Sequence, residues 1–405
     1  MNHGMLSFED ALTQLLAAAT VVSETQILAT NDAVGRVLAC DVISSIAVPP
    51  LDNSAMDGYA LRAGDVQPGI ALEISQRIAA GQIGSALRPG TAARIFTGAP
   101  LPQGADAVVM QEHCEEQQAQ LVLMHAVSVG QNIRRRGEDI AIGATVLRQG
   151  MRLDAAALGV AASVGLAQLK VFRQLKVALF STGDELTPPG EALKPGGIYN
   201  SNRTTLHALL HGMGCVVTDF GIVPDKLEST RRVLREAAQD HDLILTSGGV
   251  SVGEEDHVKP AVAAEGEITL WKIAIKPGKP LAHGKIVSVG ADDTPFIGLP
   301  GNPVASFVTF LMLVRPYLLK AQGHAAIPLR AHAMRADFSW PGDKRREFLR
   351  VRRNDSGGLD LFPNQSSGVL TSCAWADGLV SNPPDCAIEM GDSVEFLPFA
   401  ELGVR

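Results

Sequence analysis

Leu243-Ile244-Leu245-Thr246-Ser247-Gly248-Gly249-Val250-Ser251-Val252-Gly253-Glu254-Glu255-Asp256 carries the most information per residue in this chain. A short apolar run stops abruptly in a loop of hydroxyls and glycines, the pattern of a buried strand leaving the edge of a sheet. Gly248, Gly249 and Gly253 allow backbone N–H groups to close on an anion, and Thr246, Ser247 and Ser251 add hydroxyl donors. Asp256, at the far end, is placed to hold a metal ion bound to that anion. The competing account of the same residues is an ordinary strand–turn–helix connection.

Outward from this loop the rhythm is strand, helix, strand. Strands are expected at 177–180, 216–223, 270–275, 286–289 and 296–298, and helices at 204–210 and 227–239. A long helix should start at Asn302 with Pro303 in its first turn, and Pro316 should kink or end it. Alternation of this kind predicts a doubly wound, parallel α/β sheet with ligands at the carboxyl ends of its strands. The loop Phe180-Ser181-Thr182-Gly183-Asp184-Glu185-Leu186 then emerges beside the first one, and the two frame one pocket. Taken alone, Asp184 and Glu185 read as a solvated turn.

Before residue 175 the pattern differs. Ser7 caps a helix with Phe8, Leu12, Leu15, Leu16 and Ala19 on one face. Asp154 caps an alanine-rich helix that Gly165 stops, and the two helices are expected to pack together. Between them short β-like pieces alternate with Gly and Pro turns. The expected division is a discontinuous small mixed α/β domain (1–45 and 151–174), a β-rich inserted domain (46–150), the doubly wound domain (175–325) and a C-terminal small β-barrel domain (326–405).

Composition limits the function. The 405 residues are 46% hydrophobic and 19% charged, enough for packed cores. Lys and Arg number 35 against 43 Asp and Glu, a net charge of −8, and aromatics are only 5%. A general nucleic-acid binder is therefore not expected, and an anionic ligand must meet a local basic patch. Five scattered cysteines without a CxxC pair exclude a zinc ribbon or disulfide framework and fit a reducing compartment. The apolar run 303–314 is too short to span a bilayer, so a soluble, cytoplasmic protein without a membrane role is expected.

Three places offer such a patch or its acidic counterpart. Lys272 and Lys276, with Lys279 nearby, are an even number of residues apart and would share one face of a strand. They serve either oxyanion recognition or protection of an edge strand. Arg134-Arg135-Arg136, followed by Glu138 and Asp139, is either a charged turn or a clamp beside a metal-binding carboxylate. Asp57 stands before Gly58 on a tight, polar segment that follows Pro49 and Pro50, and Phe96-Thr97-Gly98 is a similar strand-to-turn punctuation. The ten histidines show no metal-ligand spacing.

Together these stretches resemble one family, the molybdopterin molybdotransferases (MoeA), related to the E domain of gephyrin. The matching text is PPLDNSAMDGYA (49–60), FTGAPLPQGADAVVMQE (96–112), NIRRRGEDI (132–140), FSTGDEL (180–186), IYNSNRTTL (198–206), TSGGVSVGEEDHV (246–258), AIKPGKP (274–280) and LPGNP (299–303). SGGVSVG alone would also suit the smaller molybdopterin adenylyltransferases, whereas SAMDGYA with NIRRRGED selects the longer family. The resemblance implies an elongated, four-domain homodimer with a shared active site. It also implies a reaction in which adenylylated molybdopterin and molybdate, with Mg²⁺, give molybdenum cofactor and AMP. Molybdopterin adenylyltransferase and apo-molybdoenzymes are the implied protein partners. By matching motif, Asp57, Thr97, Arg134 and Asp139 come from the β-rich domain, and Glu185, Asp225, Asp256, Lys272 and Lys276 from the doubly wound one. Glu185 and Asp256 would hold metal, and Lys272 and Lys276 would meet molybdate or phosphate. Thr182, Gly183, Asn200, Ser247, Gly248, Gly249 and Ser251 would bind substrate. The segment NQSSGVLTSCAWAD (364–377) departs from the family's Gly-Ser-His run, with Gly368 in place of the histidine, so no ligand role is expected of Ser366, Ser367 or Ser372. The alternative functions are an adenylyltransferase working on ATP and a gephyrin-like scaffold.

Overall fold

The computed structural model describes residues 5–249, 257–288, 292–326 and 329–404. The chain forms two compact units, one of residues 1–26, 35–39 and 171–405, the other of 27–34 and 40–170.

The first unit is built on a six-stranded sheet. Its strands lie in the order Val216–Val223, Lys176–Thr182, Leu243–Ser247, Thr294–Leu299, Pro280–Ile286, Gly266–Lys272. The first four are parallel. Val177–Phe180 and Leu243–Leu245 are buried on both faces, as central parallel strands require. Leu179, Leu206, Leu210 and the core helix fill one side. Phe180, Val233, Leu234, Val258 and Val262 fill the other. The sheet departs from the expected all-parallel form at its far edge, where Pro280–Ile286 and Gly266–Lys272 run antiparallel to their neighbours. The connections 273–279 and 287–293 are too short for a crossover helix, so these strands return as hairpins.

The core helix spans Pro303–Ala321 and does not end at Pro316. Phe310–Val314 just before it is π-helical. The wider turn takes up the missing N–H and the ring clash that would break an α-helix there. By length and composition this helix could cross a membrane, but 89% of its apolar window is buried in the protein. The helix Phe8–Ala18 buries Phe8, Ala11 and Leu15 in the same core.

A closed five-stranded barrel follows, in the cyclic order Arg346–Arg353, Gly358–Leu361, His332–Ala336, Ser393–Pro398, Gly378–Asn382. Its interior holds Ala336, Leu349, Val351, Leu359, Val380 and Phe396. Ile275–Lys276 adds to it as a short parallel strand on Arg346 and Glu347.

The second unit carries its own six-stranded sheet, in the order Ala107–Met110, Gly58–Leu61, Thr91–Ile95, Ala71–Ile78, Gln120–Leu123, Cys114–Gln117. The alanine-rich helix Ala155–Ser163 packs on Thr145–Leu147 and the turn Thr30–Asp32. The two similar helices fall in different compact units. The opening helix presents large side chains to the first unit's core, while Ala157 and Ala161 suit the close approach of a short strand and a turn.

Candidate active site

A cleft of about 830 Å³ opens at the carboxyl ends of the parallel strands, all within the first unit. Its floor is set by strand register. Ser181 lies opposite Ser247 with their hydroxyls 3.3 Å apart, and Ser247 lies opposite Leu299. The Gly248 N–H donates to Leu299 O at 3.1 Å. Gly248 and Gly249 then turn through φ of +89° and +65°, and a side chain on Gly249 would meet Val258 at 2.3 Å. Two left-handed residues in sequence call for glycine, and without side chains their backbone is open to close approach by a ligand. Gly183 has φ +144°, and the Glu185 carboxylate folds back over it to within 2.6 Å of where a Cβ would lie.

Two helices begin at the cleft. Asn200 caps Ser201–Gly212, its Oδ1 accepting from Arg203 N at 3.1 Å. Asn200 is buried, its Nδ2 has no hydrogen-bond partner, and the residue lines the cleft. The core helix begins at Asn302, and its Val304 N–H donates to Ser367 O at 2.9 Å. Asn202 Nδ2 donates to Gly301 O at 2.7 Å and ties the two starts together. Two helix N-termini with adjacent glycine turns favour an anion.

The charged groups on the lining are Lys276, Lys279 and Arg345 against Glu185 and Asp225. The Lys276 ammonium lies 3.0 Å from Glu347 and 3.2 Å from Asp343. Burial pulls its pKa down, but the two carboxylates outweigh that and hold it above the ordinary lysine value. Arg345 grips Asp343 through Nε and Nη2 at 3.0 and 3.2 Å, which drives the Asp343 carboxyl far below the usual range. The Asp225 N–H donates to Asp184 Oδ1 at 3.3 Å, joining two of the loops.

Of the residues singled out in the sequence, Thr182, Gly183, Glu185, Asn200, Asp225, Ser247, Gly248, Gly249 and Lys276 line this cleft together. Lys272 does not. The strand ends at Lys272, Ile273 is buried, and Lys276 belongs to the barrel's short strand. The two lysines therefore do not share a strand face, and Lys272 is exposed outside the lining. Ser251 and Asp256 lie outside the described residues. Asp57, Thr97, Arg134 and Asp139 lie in the second unit. There Asp57 Oδ1 accepts from the Thr97 N–H and hydroxyl at 2.8 and 2.7 Å, and these bonds hold the exposed carboxyl below its usual pKa. Arg134 is exposed on the short strand Ile133–Arg134, paired with Asn53–Ser54. Arg135 instead meets Asp52 at 2.7 Å. Asp139 is exposed, its N–H bonded to Val48 O at 3.0 Å.

Sequence reasoning missed Asn202, Arg345, Ser366 and Ser367, which also line the cleft. Arg345 sits in the charge run Asp343-Lys344-Arg345-Arg346-Glu347, which reads as a solvated turn. Ser366 is presented by Arg350, a fully buried guanidinium that donates to Ser366 O, Phe348 O and Ser372 Oγ at 3.4, 3.1 and 3.1 Å. Ser372 itself is buried and serves the fold. Among the described residues no group of three His, Cys, Asp or Glu is placed to enclose a metal.

Glycine turns, two helix starts, fixed cations and a pair of carboxylates meet at one sheet edge, a set whose chemistry suits an anionic ligand. Comparison with known proteins narrows the class. The chain matches the MoeA N-terminal region (domain I and II) over residues 6–165, a probable molybdopterin binding domain over 178–320, and the MoeA C-terminal region (domain IV) over 333–399. It is 43% identical to a molybdopterin molybdenumtransferase of Haemophilus influenzae over 79% of this chain and 78% of that one. It is 37% identical to molybdopterin molybdenumtransferase 2 of Mycobacterium tuberculosis over 88% and 90%. A crystal structure of a molybdopterin biosynthesis MoeA protein from Pyrococcus horikoshii superposes with a TM-score of 0.86 at 27% identity, covering 98% of this chain and 100% of that one. The chain belongs to the molybdopterin molybdenumtransferase (MoeA) family, transferases of molybdenum cofactor biosynthesis.

Proposed function

We propose that this protein inserts molybdate into adenylylated molybdopterin and releases AMP. The observation that carries the proposal is the convergence on one cleft of two helix N-termini, the Gly248–Gly249 turn, Lys276 and Arg345. That set suits a substrate bearing a phosphoanhydride and an oxyanion. The reaction needs little proton transfer, so orientation and charge neutralisation dominate. Gly248 and Gly249 approach a phosphate through their backbone, Asn200 Nδ2 offers an unused donor, and Lys276 and Arg345 receive the incoming molybdate.

Glu185 and Asp225 present oxygen donors to the cleft, the ligand type magnesium favours. Glu185, with Asp256, would hold Mg²⁺, which when bound neutralises charge on the phosphoanhydride, and Asp225 would meet the substrate. We further propose four domains (1–45 with 151–174, 46–150, 175–325 and 326–405) and a homodimer. In that dimer Asp57, Thr97, Arg134 and Asp139 of one protomer complete the cleft of the other. A molybdopterin adenylyltransferase and apo-molybdoenzymes are the expected partners. The five free cysteines suit a reducing cytoplasm.

Incubation of the purified protein with adenylylated molybdopterin, molybdate and magnesium should release AMP and form cofactor. Release no faster than in a protein-free control overturns the proposal. AMP transfer from ATP to molybdopterin by this chain alone would instead identify an adenylyltransferase.

A further inference from the structure

We propose that Glu347 is a positioning residue for the cleft: the barrel's buried carboxylate that holds the Lys276 ammonium in place. What Lys276 acts on rests on the function proposed above, whereas the positioning itself does not. Glu347 is fully buried on strand Arg346–Arg353, in a position where most barrel residues are apolar. A carboxylate buried without compensation is strongly unfavourable. Here Oε2 accepts from Trp340 Nε1 at 2.7 Å and Oε1 faces the Lys276 ammonium at 3.0 Å. Register makes the pairing obligatory, because the short strand Ile275–Lys276 places Lys276 directly beside Glu347.

Among the described residues, the groups set against the ammonium are these. Asp343 lies 3.2 Å away and is itself gripped by Arg345, and the Trp340 ring centre lies 5.8 Å from Nζ. Lys279 is the other lysine on the lining. Both carboxylates lie against the ammonium as ion pairs, and the same side chain lines the cleft. The buried carboxylate therefore helps to hold Lys276 where it meets the cleft. It also makes the C-terminal barrel part of the site, since a barrel residue sets a side chain on the cleft.

Competitive acylation with acetic anhydride, read by mass spectrometry across a pH series on the full-length protein, reports Lys276 without any substrate. In Glu347→Gln, which keeps volume and the acceptor for Trp340, Lys276 should become reactive at lower pH. The molybdate concentration for half-maximal AMP release should rise about tenfold, the scale of one charge-assisted hydrogen bond. Glu347→Asp should restore much of the wild-type titration. Thermal melting gives a second test that any folded variant allows. Lys276→Met should melt lower because it strands the buried carboxylate, and Lys276→Met combined with Glu347→Gln should recover part of that loss. A Lys276 titration unchanged in folded Glu347→Gln, or additive melting shifts, overturns the positioning role. An altered titration in a protein that releases no AMP upholds it and overturns only the proposed reaction.

Discussion

A methyl group at position 58 would lie 1.9 Å from the carbonyl oxygen of Val109, which pairs with Tyr59 across the neighbouring strand. The glycine after Asp57 is therefore a requirement of sheet packing, and the tight backbone it permits brings Asp57 to Thr97. Gly58→Ala should cost about 3 kcal/mol in denaturant unfolding, because the obstacle is backbone and cannot rotate away. A loss below about 0.5 kcal/mol would mean the strand pair relaxes freely. Gly249 differs in kind. Its left-handed φ and the nearby Val258 exclude a side chain, but the position also lies on the cleft, so loop geometry and ligand approach impose the same residue there. Sequence reading found both glycines as oddities and explained only the second.

At the level of elements, the core helix shows why a local pattern can mislead. Its apolar residues run all round because the sheet, the opening helix and the barrel-side residues Leu379, Leu397 and Phe399 enclose it. Pro316 is tolerated because the π-helical turn before it absorbs the mismatch, a feature with no sequence signal beyond the proline itself. Leu313→Ala should destabilise the protein by about 2–5 kcal/mol, the cost of a cavity at a fully buried leucine. Leu193, about half exposed at 48%, should tolerate alanine within about 0.5 kcal/mol. Chemical denaturation of both variants side by side checks the contrast. The edge of the sheet teaches a related lesson. Lys272 and Lys276 looked like one strand face from their spacing, yet the strand stopped between them and the second lysine joined another sheet.

For the whole molecule, the decisive question is whether the acidic residues of the second unit act at the cleft of the first. The proposed twofold dimer gives a clear expectation. Take Asp57→Ala and Glu185→Ala, each inactive alone, and mix their subunits at random by co-expression. Roughly half the dimers are then mixed, and each mixed dimer holds one intact site and one doubly damaged site. Activity should recover to about a quarter of wild type. No recovery, with subunit exchange verified, places both residues in a site built by one protomer.

What the sequence determined by itself was local and periodic. Apolar runs placed the central strands, glycine and hydroxyl clusters placed the loops at their ends, and uncommon motifs such as SAMDGYA and NIRRRGED marked the family. These signals survive in one dimension because each depends on a few adjacent residues. Tertiary structure decided whatever depends on partners far away along the chain. It turned the strand Pro280–Ile286 antiparallel to both of its neighbours, carried a helix through Pro316, and separated Lys272 from Lys276. It also brought Arg345, Ser366 and Ser367 to the cleft and buried Glu347 against Lys276. A charge run such as Asp343–Glu347 looks solvated until a barrel closes around it, since burial and ion pairing belong to the packed molecule and not to the segment.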